Sequence, residues 1–187
     1  MTISLTGFMG CGKSSVGRKL SELLCCPFMD LDQVIEEREG RTIPEIFASE
    51  GEAAFRAMEL DALRNIVSGW ERFPKQSLPS QAMGPSLVVA LGGGAVMTAE
   101  CAEIVHSDTI CIYLRASMNT LMEHLSCQTD NRPLLNTHGC HSALQDRITG
   151  LMARRSDTYE KTAHIIIDTD GKSIEAVASE IISIIFG

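Results

Sequence analysis

The sequence predicts an α/β fold: a five-stranded parallel sheet flanked by helices on both faces. Short apolar segments typical of strands alternate with longer amphipathic segments typical of helices along all 187 residues. A phosphate-binding motif directly follows the first apolar segment, and a glycine triplet directly follows the third. Ligands of such sheets bind at the carboxyl ends of the strands, so we expect the functional site at that edge.

The predicted strands are short and rich in aliphatic residues, as buried parallel strands are. They cover residues 2–6, 28–31, 87–91, 109–114 and 164–168. Each pair is separated by enough chain for a helical crossover, and right-handed crossovers are expected.

The helices are placed by apolar periodicity and by end signals. They cover residues 14–24, 32 to about 40, 42 to about 50, 52–68, 117–127, 142 to about 160, and 174 onwards. Gly40 is a predicted C-terminal cap, Thr42 and Glu45 form a capping box, and Gly51 separates two helices. Ser142 and Gln145 form a second predicted capping box.

The terminal helix has a regular apolar stripe that predicts its core face. The stripe comprises Ile174, Val177, Ala178, Ile181, Ile182 and Ile185.

Two polar segments interrupt this pattern within what we interpret as one domain, residues 1–187. Residues 69–86 hold three of the six prolines and are predicted to be a surface insertion without a catalytic part. Residues 128–141 are predicted to be a mobile lid.

Bulk composition narrows the classes of partner. The net charge is −8, which argues against a broad nucleic-acid-binding surface. Seven cysteines without a C-x-x-C pair indicate free thiols in the cytoplasm rather than a disulfide or zinc framework. The longest apolar run is too short to span a bilayer, so no membrane association is expected.

Residues 7–14, Gly-Phe-Met-Gly-Cys-Gly-Lys-Ser, form a complete G-x-x-x-x-G-K-[S/T] phosphate-binding loop. Its glycines allow close approach of the backbone amides to phosphate. Lys13 can reach the β- and γ-phosphates, and the Ser14 hydroxyl can ligate Mg²⁺. The loop predicts nucleotide binding.

Two carboxylates follow at the end of the second predicted strand. Asp30 and Asp32 have one residue between them, and alternation along a strand would point both the same way. Beside a phosphate loop they can hold Mg²⁺ and accept a proton from an attacking hydroxyl. The alternative is that Asp32 only caps the next helix.

Arg56 and Glu59 are three residues apart and both fall within the apolar stripe of their helix, so we predict an ion pair on its buried face. Either the pair is structural, or Glu59 holds the arginine toward a carboxylate in the cleft. Gly92, Gly93 and Gly94 permit close backbone approach of a ligand.

Further cations lie downstream. Arg132 falls in the predicted lid, where a phosphoryl-transfer enzyme needs a cation. Arg154 and Arg155 form a pair that would ordinarily be a solvated face.

Together these motifs resemble shikimate kinase, in that family's order and over nearly the whole chain. The residues that carry the resemblance are the phosphate loop, Asp30-Leu-Asp32, Gly51-Glu-x-x-Phe55-Arg56-x-x-Glu59, Leu91-Gly-Gly-Gly-Ala95, Arg132-Pro-Leu-Leu135 and Met152-Ala-Arg-Arg155-x-x-x-Tyr159. The resemblance implies a P-loop NTPase fold of the nucleoside-monophosphate-kinase type. It implies transfer of the γ-phosphoryl of ATP to the 3-hydroxyl of shikimate with Mg²⁺, in aromatic amino-acid biosynthesis.

The resemblance also assigns roles on the nucleotide side. ATP phosphates would bind Gly10, Cys11, Gly12, Lys13, Ser14 and Ser15. Ser14 and, through water, Asp30 would hold Mg²⁺, and Arg132 would meet the phosphates from the lid.

On the acceptor side, Asp32 would bind the substrate hydroxyls and act as the base. Arg56, oriented by Glu59, and Arg155 would clamp the carboxylate, and the amide of Gly93 would contact the substrate within the triplet Gly92–Gly94. The apolar wall under the ring would comprise Ile43, Phe47 and Phe55.

The chain departs from the family pattern at two places. The insertion 69–86 is longer than the usual connection, and deleting it should leave turnover nearly intact. Where many relatives carry an arginine near the adenine, this chain has His124 and Leu125. Lys172 is a weak alternative contact for the nucleotide.

Three other functions fit these residues less well. A kinase of another polyol acid, such as gluconate, is disfavoured by four features taken together: Asp32, Arg56, the glycine triplet and Arg155. A non-catalytic nucleotide-binding regulator is disfavoured because Lys13 and Arg132 are retained with Asp32. A nucleoside-monophosphate kinase would need a base pocket, for which the sequence offers no sign. We expect a monomer that binds only small molecules.

Overall fold

The computed structural model describes residues 1–69, 85–126 and 141–187. Within them the strands are β1 (Thr2–Thr6), β2 (Phe28–Asp30), β3 (Leu87–Ala90), β4 (Thr109–Arg115) and β5 (Ile165–Asp168). The helices are α1 (Lys13–Leu24), α2 (Leu31–Glu39), α3 (Ile43–Val67), α4 (Ala99–Asp108), α5 (Met118–Ser126), α6 (His141–Thr162) and α7 (Ile174–Phe186), with a 3₁₀ turn at Ala95–Met97. Nearly all of the predicted insertion and lid, including Arg132, lies outside the described residues.

The five strands form one parallel sheet in the order β2-β3-β1-β4-β5, which confirms the predicted fold class. β1 is central: Ile3 is in register with Val88 of β3 on one side and with Ile110 of β4 on the other. The phosphate loop that follows β1 is therefore at the middle of the carboxyl edge, with the glycine triplet after β3 beside it.

The apolar core between the sheet and its helices holds the carboxyl edge of the sheet in place. Ile3, Leu5, Leu20 and Ile112 are completely buried in one continuous apolar cluster. Burial of each such side chain contributes roughly 1.5–3 kcal/mol. The loops at the edge are thus attached to a rigid scaffold.

The predicted signals around α3 are confirmed. The Thr42 hydroxyl accepts from the Glu45 amide (3.4 Å), and a Glu45 carboxylate oxygen accepts from the Thr42 amide (2.7 Å). Gly51 interrupts the helix with φ 82° and ψ 175°, a conformation reserved for glycine. Gly40 ends α2 in the left-handed region, as predicted.

Four sequence-based expectations were wrong in detail. β2 ends at Asp30 and α2 begins at Leu31, so strand alternation does not relate Asp30 to Asp32. α6 begins at His141, which places Ser142 inside the helix rather than at its cap. In α7 the buried residues are Val177, Ala178 and Ile181, whereas Ile174 is exposed. α4 and the 3₁₀ turn were not predicted.

In residues 1–69, 85–126 and 141–187, no helix has both the length and the apolar content needed to cross a membrane.

Candidate active site

The phosphate loop forms a tight cradle ahead of α1. Gly7, Gly10 and Gly12 have φ of 144°, 84° and 92°, a region that L side chains rarely adopt. Gly12 caps α1, so the loop ends at a helix N-terminus, where free amides and the helix dipole favour anions. The buried Lys13 ammonium donates to the carbonyls of Gly7 (2.9 Å) and Phe8 (3.0 Å), which keeps it folded across the loop.

Ser14 connects this loop to the neighbouring acidic residues. Its hydroxyl donates to an Asp30 carboxylate oxygen at 2.6 Å. The other oxygen of Asp30 accepts from the Asp32 amide at 3.2 Å, so Asp30 is the N-cap of α2. The alternative that Asp32 merely caps this helix is therefore wrong, because Asp30 is the capping residue.

Asp32 interacts with a cation of the phosphate loop, Lys13, and with a cation of α3, Arg56. The pKa of its carboxyl is raised from 3.8 to about 6, first by burial and then by the negative charge of Asp30. The positive charges of Lys13 and Arg56 lower this pKa. The carboxylate therefore interacts electrostatically with both the phosphate loop and the α3 arginine.

The predicted ion pair on α3 is present, with a second carboxylate beside it. Arg56 donates to Glu59 at 2.7 Å and to Glu52 at 3.0 Å. Glu59 is completely buried and Glu52 is 57% exposed. Among the residues that the structure describes, one Glu59 oxygen, Oε1, has no hydrogen-bond partner, and burial raises the pKa of this carboxyl to about 7. A buried polar atom left in this state can receive a ligand hydroxyl or a water.

The glycine triplet is required by space and not by backbone conformation, since none of its three residues has a positive φ. A β-carbon at Gly92 would lie 2.6 Å from Asp32 Oδ1 and 2.7 Å from Glu59 Oε1. A β-carbon at Gly94 would lie 2.6 Å from Arg56 Nη2. The triplet therefore lets the two carboxylates and the arginine close around one point.

A second arginine reaches this point from α6. Arg155 is buried and donates to the Gly93 carbonyl at 3.2 Å. The Tyr159 hydroxyl, one turn further along, donates a short hydrogen bond to the same carbonyl. Sequence reasoning gave Tyr159 no role; its position four residues after Arg155 was the available signal.

The residues proposed as an apolar wall lie at the start of α3 and just beyond its kink. The Phe47 and Phe55 rings pack with centroids 4.9 Å apart, and Ile43 is partly buried nearby in sequence. The Arg56 guanidinium lies 5.3 Å from the Phe55 ring, so this cation has an apolar neighbour.

The structure gives the remaining candidates less support. Lys172 pairs with Glu180 of α7 at 2.6 Å, so a nucleotide contact would first have to break this ion pair. Arg154 is exposed, unlike Arg155. His124, by contrast, contacts the phosphate loop: its Nδ1 lies 2.7 Å from the Gly10 carbonyl oxygen.

A phosphate loop after the central strand of a parallel sheet, with a carboxylate, a half-buried arginine and a buried arginine opposite, defines a P-loop kinase of the nucleoside-monophosphate-kinase type. The sequence model of the shikimate kinase family matches residues 9–186. The chain belongs to the shikimate kinase family.

Individual relatives agree. The chain is 38% identical to shikimate kinase of Thermus thermophilus over 96% of its own length and 87% of that protein, and 41% identical to that of Geobacter metallireducens over 96% and 88%. Among solved structures, shikimate kinase of Acinetobacter baumannii in complex with shikimate matches with a TM-score of 0.84 and 33% identity, covering 98% of this chain and 92% of that one.

Proposed function

We propose that this cleft transfers the γ-phosphoryl group of ATP to the 3-hydroxyl of shikimate. Phosphorylation of shikimate by ATP is the activity of the family to which the chain belongs. The observation that carries the proposal is the position of Asp32, whose Oδ1 lies with Glu59 Oε1 beside Gly92 and whose carboxyl pKa is lowered by both Lys13 of the donor side and Arg56 of the acceptor side.

On the donor side, amides of residues 10–15 and the α1 N-terminus would bind the ATP phosphates. Lys13 now donates to loop carbonyls. Exchange of these neutral acceptors for phosphate oxygens would strengthen its hydrogen bonds and place its charge where negative charge develops. Arg132, outside the described residues, would add a second cation there.

On the acceptor side, Arg56 and Arg155 would bind the shikimate carboxylate. Both guanidiniums are anchored, Arg56 by Glu59 and Arg155 by the Gly93 carbonyl, so little side-chain entropy is lost on binding. The Gly93 amide would contact a substrate hydroxyl, and the wall of Ile43, Phe47 and Phe55 would pack against the ring.

Asp32 would accept the proton of the attacking hydroxyl. With a pKa of about 6, this carboxyl is mostly ionised at neutral pH yet more basic than an ordinary aspartate. Its closeness to Gly92 and Glu59 directs it toward the acceptor pocket rather than toward solvent.

Ser14 and Asp30 fit Mg²⁺, because they offer a hydroxyl and a carboxylate 2.6 Å apart and Mg²⁺ prefers such oxygen ligands. When bound, the ion would neutralise charge on the phosphates. Asp30 would contribute as the water-mediated partner, since one of its oxygens already caps α2.

The decisive experiment is an ATP-consumption assay with shikimate, gluconate and nucleoside monophosphates as separate acceptors. We expect turnover with shikimate to exceed that with the others by orders of magnitude. Equal turnover with gluconate or a nucleoside monophosphate would refute the assignment of the acceptor, and phosphate at another hydroxyl of the product by NMR would refute the 3-position.

We further propose a cytoplasmic monomer. In the part of the chain that the structure describes, the cysteines are free, which suits a reducing compartment: Cys11, Cys25, Cys26, Cys101 and Cys111. Light scattering coupled to gel filtration should give a mass near 20.3 kDa; twice that mass would rule out the monomer.

A further inference from the structure

We propose that His124 is a positioning residue for the phosphate loop: its imidazole holds the Gly10–Cys11 peptide from α5 and thereby sets the affinity for the nucleotide. The inference rests on the proposed function, because it assigns this loop to ATP.

The contact itself fixes the chemistry. His124 Nδ1 lies 2.7 Å from the Gly10 carbonyl oxygen. A carbonyl only accepts, so Nδ1 must carry the hydrogen and donate it. The bond joins residues 114 positions apart and comes from an exposed side chain, so the sequence alone could not reveal it.

The Gly10–Cys11 peptide is held at both of its polar ends. Its carbonyl accepts from His124, and its amide, that of Cys11, donates to the Phe8 carbonyl at 3.2 Å. Because a peptide unit is planar, fixing the carbonyl also fixes the direction of the amide. The same Phe8 carbonyl accepts from Lys13, so the bond from His124 is linked through the turn to the resting position of Lys13.

The residue after His124 contributes packing at the same point. Leu125 is completely buried, and a β-carbon on Gly10 would lie 2.9 Å from its Cγ. Gly10 also has a left-handed φ of 84°. α5 therefore contacts the loop through one apolar side chain and one hydrogen bond, and only the hydrogen bond is directional.

Three variants separate the effect of the hydrogen bond from the effect of side-chain size. His124→Ala removes the donor. His124→Asn retains it, because the side-chain amide NH₂ reaches about as far as Nδ1–H. His106→Ala is the matched control, since His106 Nδ1 donates to the Thr162 carbonyl at 3.1 Å near the amino end of the sheet.

We expect His124→Ala to raise KM for ATP and Kd for ADP by about 3- to 10-fold, the range of a single lost hydrogen bond. KM for shikimate and the thermal midpoint should stay near wild type in His124→Ala, and His124→Asn should behave as wild type in all four measurements. His106→Ala should keep the wild-type KM and Kd values. Calorimetric titration with ADP measures Kd directly.

Unchanged ADP affinity in His124→Ala would overturn the inference, as would an equal rise in KM for shikimate, which indicates general damage. A defect in His124→Asn as large as that in His124→Ala would also overturn it. If wild-type enzyme fails to phosphorylate shikimate, the proposed function falls, whereas the ADP titrations still decide the role of His124.

Discussion

The Tyr159 hydroxyl donates to the Gly93 carbonyl, the same oxygen that accepts from Arg155. This bond ties α6 to the glycine triplet at the place where the substrate carboxylate is proposed to bind. Tyr159 is completely buried, and burial raises the pKa of its phenol, so it remains a neutral donor at physiological pH.

Replacement of Tyr159 by Phe should weaken shikimate binding without affecting ATP. The ring stays and the donor is lost, so the Gly93 peptide and Arg155 become less well fixed. We expect KM for shikimate to rise about 3- to 10-fold, with KM for ATP within about twofold of wild type. The control is Tyr113→Phe, which removes the hydroxyl of the ring stacked on Tyr159 at 5.1 Å. Equal effects of the two variants would contradict a specific role for Tyr159.

A methyl group at Gly92 should disable catalysis. The new β-carbon would be 2.6 Å from Asp32 and 2.7 Å from Glu59, so at least one carboxylate must move. Because small displacements of catalytic groups cost about 10²-fold in rate, Gly92→Ala should lose about that much kcat.

The control for Gly92→Ala is Gly150→Ala in α6, where a β-carbon meets nothing within 4 Å. This substitution should stabilise the protein by about 0.5–1 kcal/mol and leave kcat unchanged. Steady-state assays and urea unfolding of both variants check these expectations. A Gly92→Ala enzyme with wild-type kcat would show that Asp32 and Glu59 need not hold their observed positions.

Sequence reasoning succeeded where the signal was local. The phosphate loop, the capping box at Thr42 and the break at Gly51 are each encoded within a few residues, and each was found. The pair of Arg56 and Glu59 was found because helical periodicity places both on one face.

It failed where the answer depended on packing between distant segments. α4 buries only Cys101 and Val105 among its ten residues, so it lacks a strong apolar stripe. The contacts of Tyr159 with Gly93 and of His124 with Gly10 join residues 66 and 114 positions apart. The contact of His124 has no local signal, and that of Tyr159 has only its four-residue spacing from Arg155.

The pH dependence of turnover should report Asp32. Its base role requires the carboxylate, so kcat/KM for shikimate should fall at acidic pH with an apparent pKa near 6. Asp32→Asn should reduce kcat by about 10²- to 10⁴-fold while ADP affinity is retained. Near-normal turnover in this variant would remove Asp32 as the base.

Glu36→Gln tests whether neighbouring charge sets the pH at which kcat/KM falls, which we call the acid limb of the profile. Glu36 raises the pKa of Asp32, so its neutralisation should move the acid limb to lower pH. The glutamine keeps an oxygen that can accept from the Ile43 amide, as Glu36 does at 2.8 Å. Glu37→Gln, at an exposed residue that pairs with Gln33, is the control and should leave the limb in place. If both variants or neither shift it, the electrostatic explanation fails.

The contribution of two site carboxyls to stability should fall as pH rises from about 4 to about 7, because both are harder to ionise in the folded protein. The pKa of Glu59 is raised from 4.5 to about 7 and that of Asp32 from 3.8 to about 6. The folded state therefore binds more protons than the unfolded state within this window, so the stabilisation is complete below the unfolded pKa values and is lost as pH rises through the folded ones.

Glu59→Gln removes one titrating group and should flatten the profile of stability against pH by on the order of 2 kcal/mol between pH 4 and 8. Glu52→Gln, which changes the exposed partner of the same arginine, should keep the wild-type slope. Urea unfolding at several pH values measures both. An unchanged slope in Glu59→Gln would mean that Glu59 ionises as easily in the folded protein as in the unfolded chain, and that its unpaired oxygen is solvated in solution.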